Sequence, residues 1–260
     1  MATGRTTAPA HTRAANTFRE TIRERVLYNL LFFALVMTVS GLLLGQISIR
    51  QDEKIIKDIG LASMELFGTL IAIFIGVGMV AKEIERRSLH PLLAKPLSRD
   101  EFFLGKFAGL GFTLLVNVGL MSGGLALTLA GTGRTVDLHL LKAIYPIFLG
   151  LLLVVALALL FSTVTSSALA AVFTVGLVVA GRFSDVIRNM REVAPNAPSW
   201  LVRFLYYALP NFRNFDFKDR VAYGDPVPLA AMGLVTAYAA VYIGVVLLMG
   251  LAAFRSRELS

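Results

Sequence analysis

The stretch AIYPIFLGLLLVVALALLFSTVTSSALAAVFTVGLVVAG, from Ala143 to Gly181, holds 39 residues without a charge. As one helix it would run about 58 Å at 1.5 Å per residue, twice the roughly 30 Å of a bilayer's hydrocarbon core. It must therefore be two helices. The only polar cluster in the run, Ser162, Thr163, Thr165, Ser166 and Ser167, is where the chain is expected to reverse. The fifth helix is short unless Thr163 to Ser167 belong to it.

Working outward, four further segments approach or exceed the about 20 apolar residues a span needs: Val26 to Gly45, Ile59 to Ala81, Phe107 to Ala130 and Leu229 to Phe254. The expected fold is an all-α integral membrane protein of six transmembrane helices, at about 26–45, 59–81, 107–130, 143–161, 163–181 and 229–254. Composition agrees, since 56% of the 260 residues are hydrophobic and 16% charged, against roughly 45–50% and 25% in soluble domains. The net charge of +8 is spread between apolar blocks and forms no basic stripe with interleaved aromatics, so nucleic acid is not an expected partner. The absence of cysteine excludes disulfides, thiolate metal sites and thiol catalysis. The first apolar block is too long for a cleavable signal peptide and no small-residue cleavage pattern follows it.

Six spans put both termini on one side. With the termini cytoplasmic, thirteen Lys and Arg residues fall in the inner segments and five in the short outer loops, which the positive-inside rule favours. Seven more lie in the outer segment 182–228, and long loops count little in that rule. Residues 1–16 read as a disordered cytoplasmic arm rich in Ala, Thr and Arg, with 17–260 forming a single membrane domain. Thr17 with Glu20 fits a capping box, and Phe18, Ile22 and Val26 share a helical face, so this part is either an interfacial elbow helix or the start of an extended first span.

The inner connection Lys82-Glu-Ile-Glu-Arg-Arg-Ser-Leu-His-Pro-Leu-Leu-Ala-Lys-Pro-Leu-Ser-Arg-Asp-Glu-Phe-Phe-Leu-Gly-Lys106 is longer than a joint requires. Pro91 and Pro96 interrupt it, leaving a charged helical turn after the second span. Ser98 and Glu101 form a capping box with Leu97 and Phe102 as its staple, so the third span's helix is expected to start in the cytoplasm at Arg99. On pattern alone the connection is either a compact elbow able to take force from a soluble partner or a solvated charge run that fixes topology.

Glu65-Leu-Phe-Gly in the second span, Lys82-Glu-Ile-Glu-Arg-Arg-Ser, Leu-Leu-Ala-Lys-Pro-Leu-Ser-Arg99, Leu-Gly-Lys106 and Leu-Pro210-Asn-Phe together resemble the type-2 ABC transporter permeases. Within them the chain is most similar to the branch that includes permeases of copper-enzyme maturation. The resemblance runs from about Phe18 to the terminal Phe-Arg-Ser-Arg, with Ser88 where relatives commonly carry Thr. It implies the exporter permease fold in the cytoplasmic (inner) membrane, and a coupling loop at 82–106 that docks on an ABC ATPase subunit. By position, Glu83, Glu85, Arg86, Arg87, Lys95 and Arg99 are the expected ATPase-coupling contacts. It also implies a second permease chain, as homodimer or heterodimer, and ATP and Mg bound by the ATPase, with no cofactor on this chain. No GxxxxGK[ST] phosphate loop is present, since Gly105-Lys106 lacks the earlier glycine and the following hydroxyl.

Glu65 is the only acidic residue within a predicted span. An ionisable group there costs a few kcal/mol or more unless paired or hydrated. It reads either as part of a hydrated vestibule or interhelix contact that opens in transport, or as a carboxylate satisfied by headgroups or an outer cation such as Lys57. Asn29, Asn117 and several Ser and Thr residues are available for interhelix hydrogen bonds, and the pairs Gly41/Gly45, Gly105/Gly109 and Gly119/Gly123 for close helix contact or a dimer face. In 182–228, the apolar face of Trp200, Leu201, Phe204, Leu205, Ala208 and Leu209, with Tyr207 beside it, suggests an interfacial or re-entrant helix. Trp200, Phe204 and Tyr207 are then either an outer gate or a cover over the span ends. The Phe212, Phe215 and Phe217 run reads as local packing. His11, His90 and His139 are scattered, so neither a metal cluster nor a catalytic triad is expected. Two rival functions remain at this level: an ATP-independent secondary transporter, which would want several intramembrane charges or broken helices, and a non-transporting membrane assembly protein.

Overall fold

The computed structural model describes residues 32–37, 39, 52–86, 99–133, 137–184, 198 and 209–256, and every described element is helical. Four long helices dominate: α1 (Asp52–Arg86), α2 (Arg99–Gly131), α3 (Leu141–Val164) and, last in the chain, α6 (Leu229–Ser256). Between α3 and α6 lie α4 (Ser167–Arg182) and the short α5 (Lys218–Tyr223). Single 3-10 turns at Leu138–Leu140 and Phe212–Phe215 precede α3 and α5. The four long helices are each long and apolar enough to cross a membrane, so this is a multi-pass membrane protein. A helical piece at 32–37 lies within the predicted first span, with Phe33 and Met37 buried against the bundle.

The polar cluster splits the apolar run as expected. Helix α3 ends at Val164, Thr165 turns extended with its N–H still donating to the Phe161 carbonyl, and α4 starts at Ser167. The fifth helix therefore starts four residues later than predicted and has only 16 residues, about 24 Å of rise. Helix α2 is described from Arg99, with Asp100 and Glu101 in its first turn where the macrodipole favours acids, and Ser98 of the expected capping box lies outside the described residues.

Helix α3 is the post around which the others stand. Of its most apolar stretch 72% is buried, against 33% for α2 and 28% for α6. It contacts α1, α2, α4 and α6, and its small residues let backbones approach. A Cβ on Gly76 of α1 would fall 2.6 Å from the Ala158 Cβ, and one on Gly68 would fall 2.6 Å from a Leu151 methyl. None of the described GxxxG glycines does this: Gly105, Gly109, Gly119 and Gly123 face open space, while Gly41 and Gly45 lie outside the described residues.

The mid-helix hydroxyls mostly turn back on their own helices. Thr69, Thr113, Ser122, Thr128 and Thr174 each donate to the carbonyl four residues earlier, which satisfies them without a neighbour. Asn117 likewise donates to the Thr113 carbonyl, and its buried Oδ1 has no partner among the described residues. Asn29 lies outside the described residues.

Candidate functional site

At the end of the bundle opposite the 86–99 connection, the chain from Leu209 to Gly224 folds back against the helices. A 3-10 turn near a membrane needs its backbone groups satisfied by protein. Asn211 does most of this: its Oδ1 accepts from the Arg213 N–H at 3.0 Å and from the Ser184 hydroxyl at 2.8 Å. Its own N–H donates to the Tyr238 phenol oxygen on α6 at 2.8 Å. One residue earlier, the Pro210 carbonyl lies against Gly181, where a Cβ would come within 2.2 Å of it. Phe212 and Phe215 are buried, the Phe215 ring touching Gly150 of α3 and lying 5.9 Å from the Tyr238 ring. The Leu-Pro-Asn-Phe motif thus joins the end of α4 to α6, and Phe215 just beyond it adds α3. The local packing read from the Phe212, Phe215 and Phe217 run is what the structure shows, all three being buried.

That docking brings Lys218 to Glu65. The Lys218 ammonium is 2.5 Å from Oε2 of Glu65, and the Arg182 guanidinium is 2.7 Å from Oε1. Asp216 sits 3.7 Å from Lys218. The Glu65 and Lys218 side chains are 15% and 14% exposed, so the pair is well shielded, while Arg182 at 40% reaches solvent. Burial pulls the Lys218 pKa down, but the Glu65 carboxylate, by charge and hydrogen bond, and Asp216 outweigh it, and the net direction is up. Glu65 is therefore paired, as one reading of the sequence held, though not by Lys57. That side chain goes to Glu53, one turn away, at 2.5 Å. Tyr223 adds another tie, with the Lys54 ammonium 5.3 Å from its ring centre.

At the connection end, Glu83, Glu85 and Arg86 lie in the last turns of α1 and Arg99 opens α2. Arg87 and Lys95 lie outside the described residues, as do Trp200, Phe204 and Tyr207. Just inside this end, Asp100 accepts from Arg255 through both carboxylate oxygens, with Nε to Oδ1 at 3.1 Å and Nη2 closing on Oδ2. Phe103, buried beneath, lies 6.1 Å from the Phe254 ring.

Among the described residues of the two regions no nucleophile, base and orienter are brought together, and what their geometry offers is mechanical. One end has a shielded ionic lock joining three elements, and at the other the start of α2 is joined to the end of α6. Comparison with family models matches residues 13–189, about two thirds of the chain, to one described as ABC-2 family transporter protein. The matched region holds the connection, Glu65 and Arg182, while Asn211, Lys218 and Arg255 lie beyond it. No curated protein matches the chain.

Proposed function

The chain belongs to the ABC-2 transporter family, and from that premise we propose that it is the permease subunit of an ATP-driven exporter in the cytoplasmic membrane, working with a separate ATPase polypeptide. The family match carries the reading. The sequence adds to it, having no phosphate loop of its own and a long charged connection between two spans. In this reading α1, α2, α3 and α6 are four of six spans, with 26–45 the first and α4 the fifth, and both termini are cytoplasmic. The permease pairs with itself or a similar chain above two ATPase subunits that bind ATP and Mg. Closure of those subunits pushes on the 82–106 loops, through Glu83, Glu85, Arg86, Arg87, Lys95 and Arg99, and switches the pathway between inward and outward access. The motifs in 82–106 and at Leu209–Phe212 support a place in the branch with the copper-enzyme-maturation permeases.

The secondary-transporter alternative loses support from Glu65. An intramembrane carboxylate already held by two cations is a poor ion-binding site. The locked 209–224 segment suits instead a bundle end that stays shut until the helices move.

Co-purification from detergent with the ATPase tests the proposal, comparing the native chain with the triple variant Glu83→Ala, Glu85→Ala, Arg87→Ala. The native chain is expected to retain the ATPase and the folded variant to lose it. A native chain that purifies alone and moves solute in vesicles without nucleotide would overturn the reading.

A further inference from the structure

Helix α6 has little of its surface covered, and its last turns meet the start of α2 at two points, one buried and one exposed. Gly250 makes a notch: a Cβ there would lie 2.8 Å from the Phe103 ring tip and 3.7 Å from the Leu160 Cα of α3. The Phe103 ring fills that notch at 3% exposure, flanked by Phe254 one turn on. One turn before Phe103, Asp100 grips the Arg255 guanidinium with both oxygens. The two contacts resist different motions. A ring in a glycine notch opposes sliding, because movement along the axis carries it out of the notch toward Val246 or Phe254, the neighbours one turn away on the same face. A two-point Arg–carboxylate contact opposes rotation, since both N–H···O bonds need the planes aligned.

Both contacts lie in the first five residues of α2, immediately after the 87–98 connection. We propose that Asp100 and Phe103 are positioning residues that pass displacement of the 82–106 loop to α6, so that the last span moves with the first turn of α2. This rests on the reading of that loop as the ATPase-docking element. Neither residue touches the ATPase or the substrate in this scheme; they act through Arg255 and Gly250.

The chain has no cysteine, so spin labels can be placed at will. The test uses the permease–ATPase complex with Ser166→Cys and Ala252→Cys, both exposed, diluted with unlabelled chain so that only distances within one chain are read. Pulsed EPR compares the nucleotide-free complex with one trapped with ATP and vanadate. The native clasp is expected to show a shift of at least about 1–2 Å, the scale of helix displacements in switching proteins. Asp100→Arg and Phe103→Ala are expected to cut that shift to less than half, and Asp100→Arg with Arg255→Asp to restore it, which a merely structural role would not predict. ATPase recovery is measured on every sample. Failure of the native chain to retain the ATPase defeats the docking reading itself. Retained ATPase with a native-sized shift in both single variants, or with no shift in the native chain, overturns the proposal while docking stands.

Discussion

Replacing Glu65 by Gln is expected to destabilise the protein more than removing either of its cations. In Glu65→Gln, the Lys218 ammonium keeps only Asp216 at 3.7 Å and faces Arg182 with no anion between them. Removing one partner of a buried ion pair costs about 3–5 kcal/mol. Residual exposure of 15% and 14% at the two side chains lowers this to about 2–3 kcal/mol, since screening weakens partly exposed charges. Lys218→Met leaves Glu65 joined to Arg182 and puts an apolar chain in a largely shielded position, and should cost about 1 kcal/mol. The double variant Glu65→Gln with Lys218→Met buries no lone ammonium, so it should be more stable than Glu65→Gln alone by about 1 kcal/mol or more. Reversible unfolding in mixed micelles by SDS titration, followed by circular dichroism, measures all three. Simple additivity of the two single costs, or a Glu65→Gln variant as stable as native, would refute the claim that the lock is a shielded charge cluster.

Gly181→Ala should cost about 2–3 kcal/mol in the same titration, because the Cβ would meet the Pro210 carbonyl, a backbone atom that cannot rotate away. Tyr238→Phe removes the acceptor of the Asn211 N–H and should cost about 1 kcal/mol while raising amide exchange at Asn211. The Lys218 pKa is raised, so its contribution is fully present below the unfolded lysine value and is lost as pH rises through the folded one. The difference in midpoint between native and Lys218→Met should then stay flat from about pH 7 to 9 and shrink only above about pH 10.4.

Much of the bundle was legible because it follows from length and charge alone. Thirty-nine uncharged residues cannot be one span, and five hydroxyl residues within the six positions 162–167 are the only polar cluster at which to turn. The Glu65 lock was not legible, because residues 65, 182 and 218 share no period and meet only when 209–224 folds back. Lys57 was the natural candidate by nearness in sequence, and the competing carboxylate of Glu53 at i−4 took it instead. The glycine spacings misled for a related reason. A GxxxG pair counts positions on one helix, whereas Gly76, Gly181 and Gly250 matter because of what Ala158, Pro210 and Phe103 place opposite them. The resemblance drew attention to Leu-Pro210-Asn-Phe, but its physical role needs Ser184 and Tyr238, 27 residues away on either side of Asn211.

Helix α6 takes part at both ends of the bundle. Tyr238 receives the Asn211 N–H and Thr236 shares a hydrogen bond with Tyr145 at one end, while Gly250, Phe254 and Arg255 meet α2 at the other. The rise from Tyr238 to Arg255 is about 26 Å of continuous helix, with the largely buried α3 packed beside it. On the clasp proposal, a push that carries α2's first turn carries Arg255, and a stiff helix carries Tyr238 with it. The Asn211 N–H then loses its acceptor, and the 3-10 turn loses one of the bonds that hold it in place. The ionic lock does not depend on α6, since Glu65, Arg182 and Lys218 lie on α1, α4 and α5. Displacement of α6 therefore loosens the Asn211 N–H first, while Ser184, Phe215 and Lys218 still tie the 209–224 segment to α4, α3 and α1, so the segment would shift rather than leave.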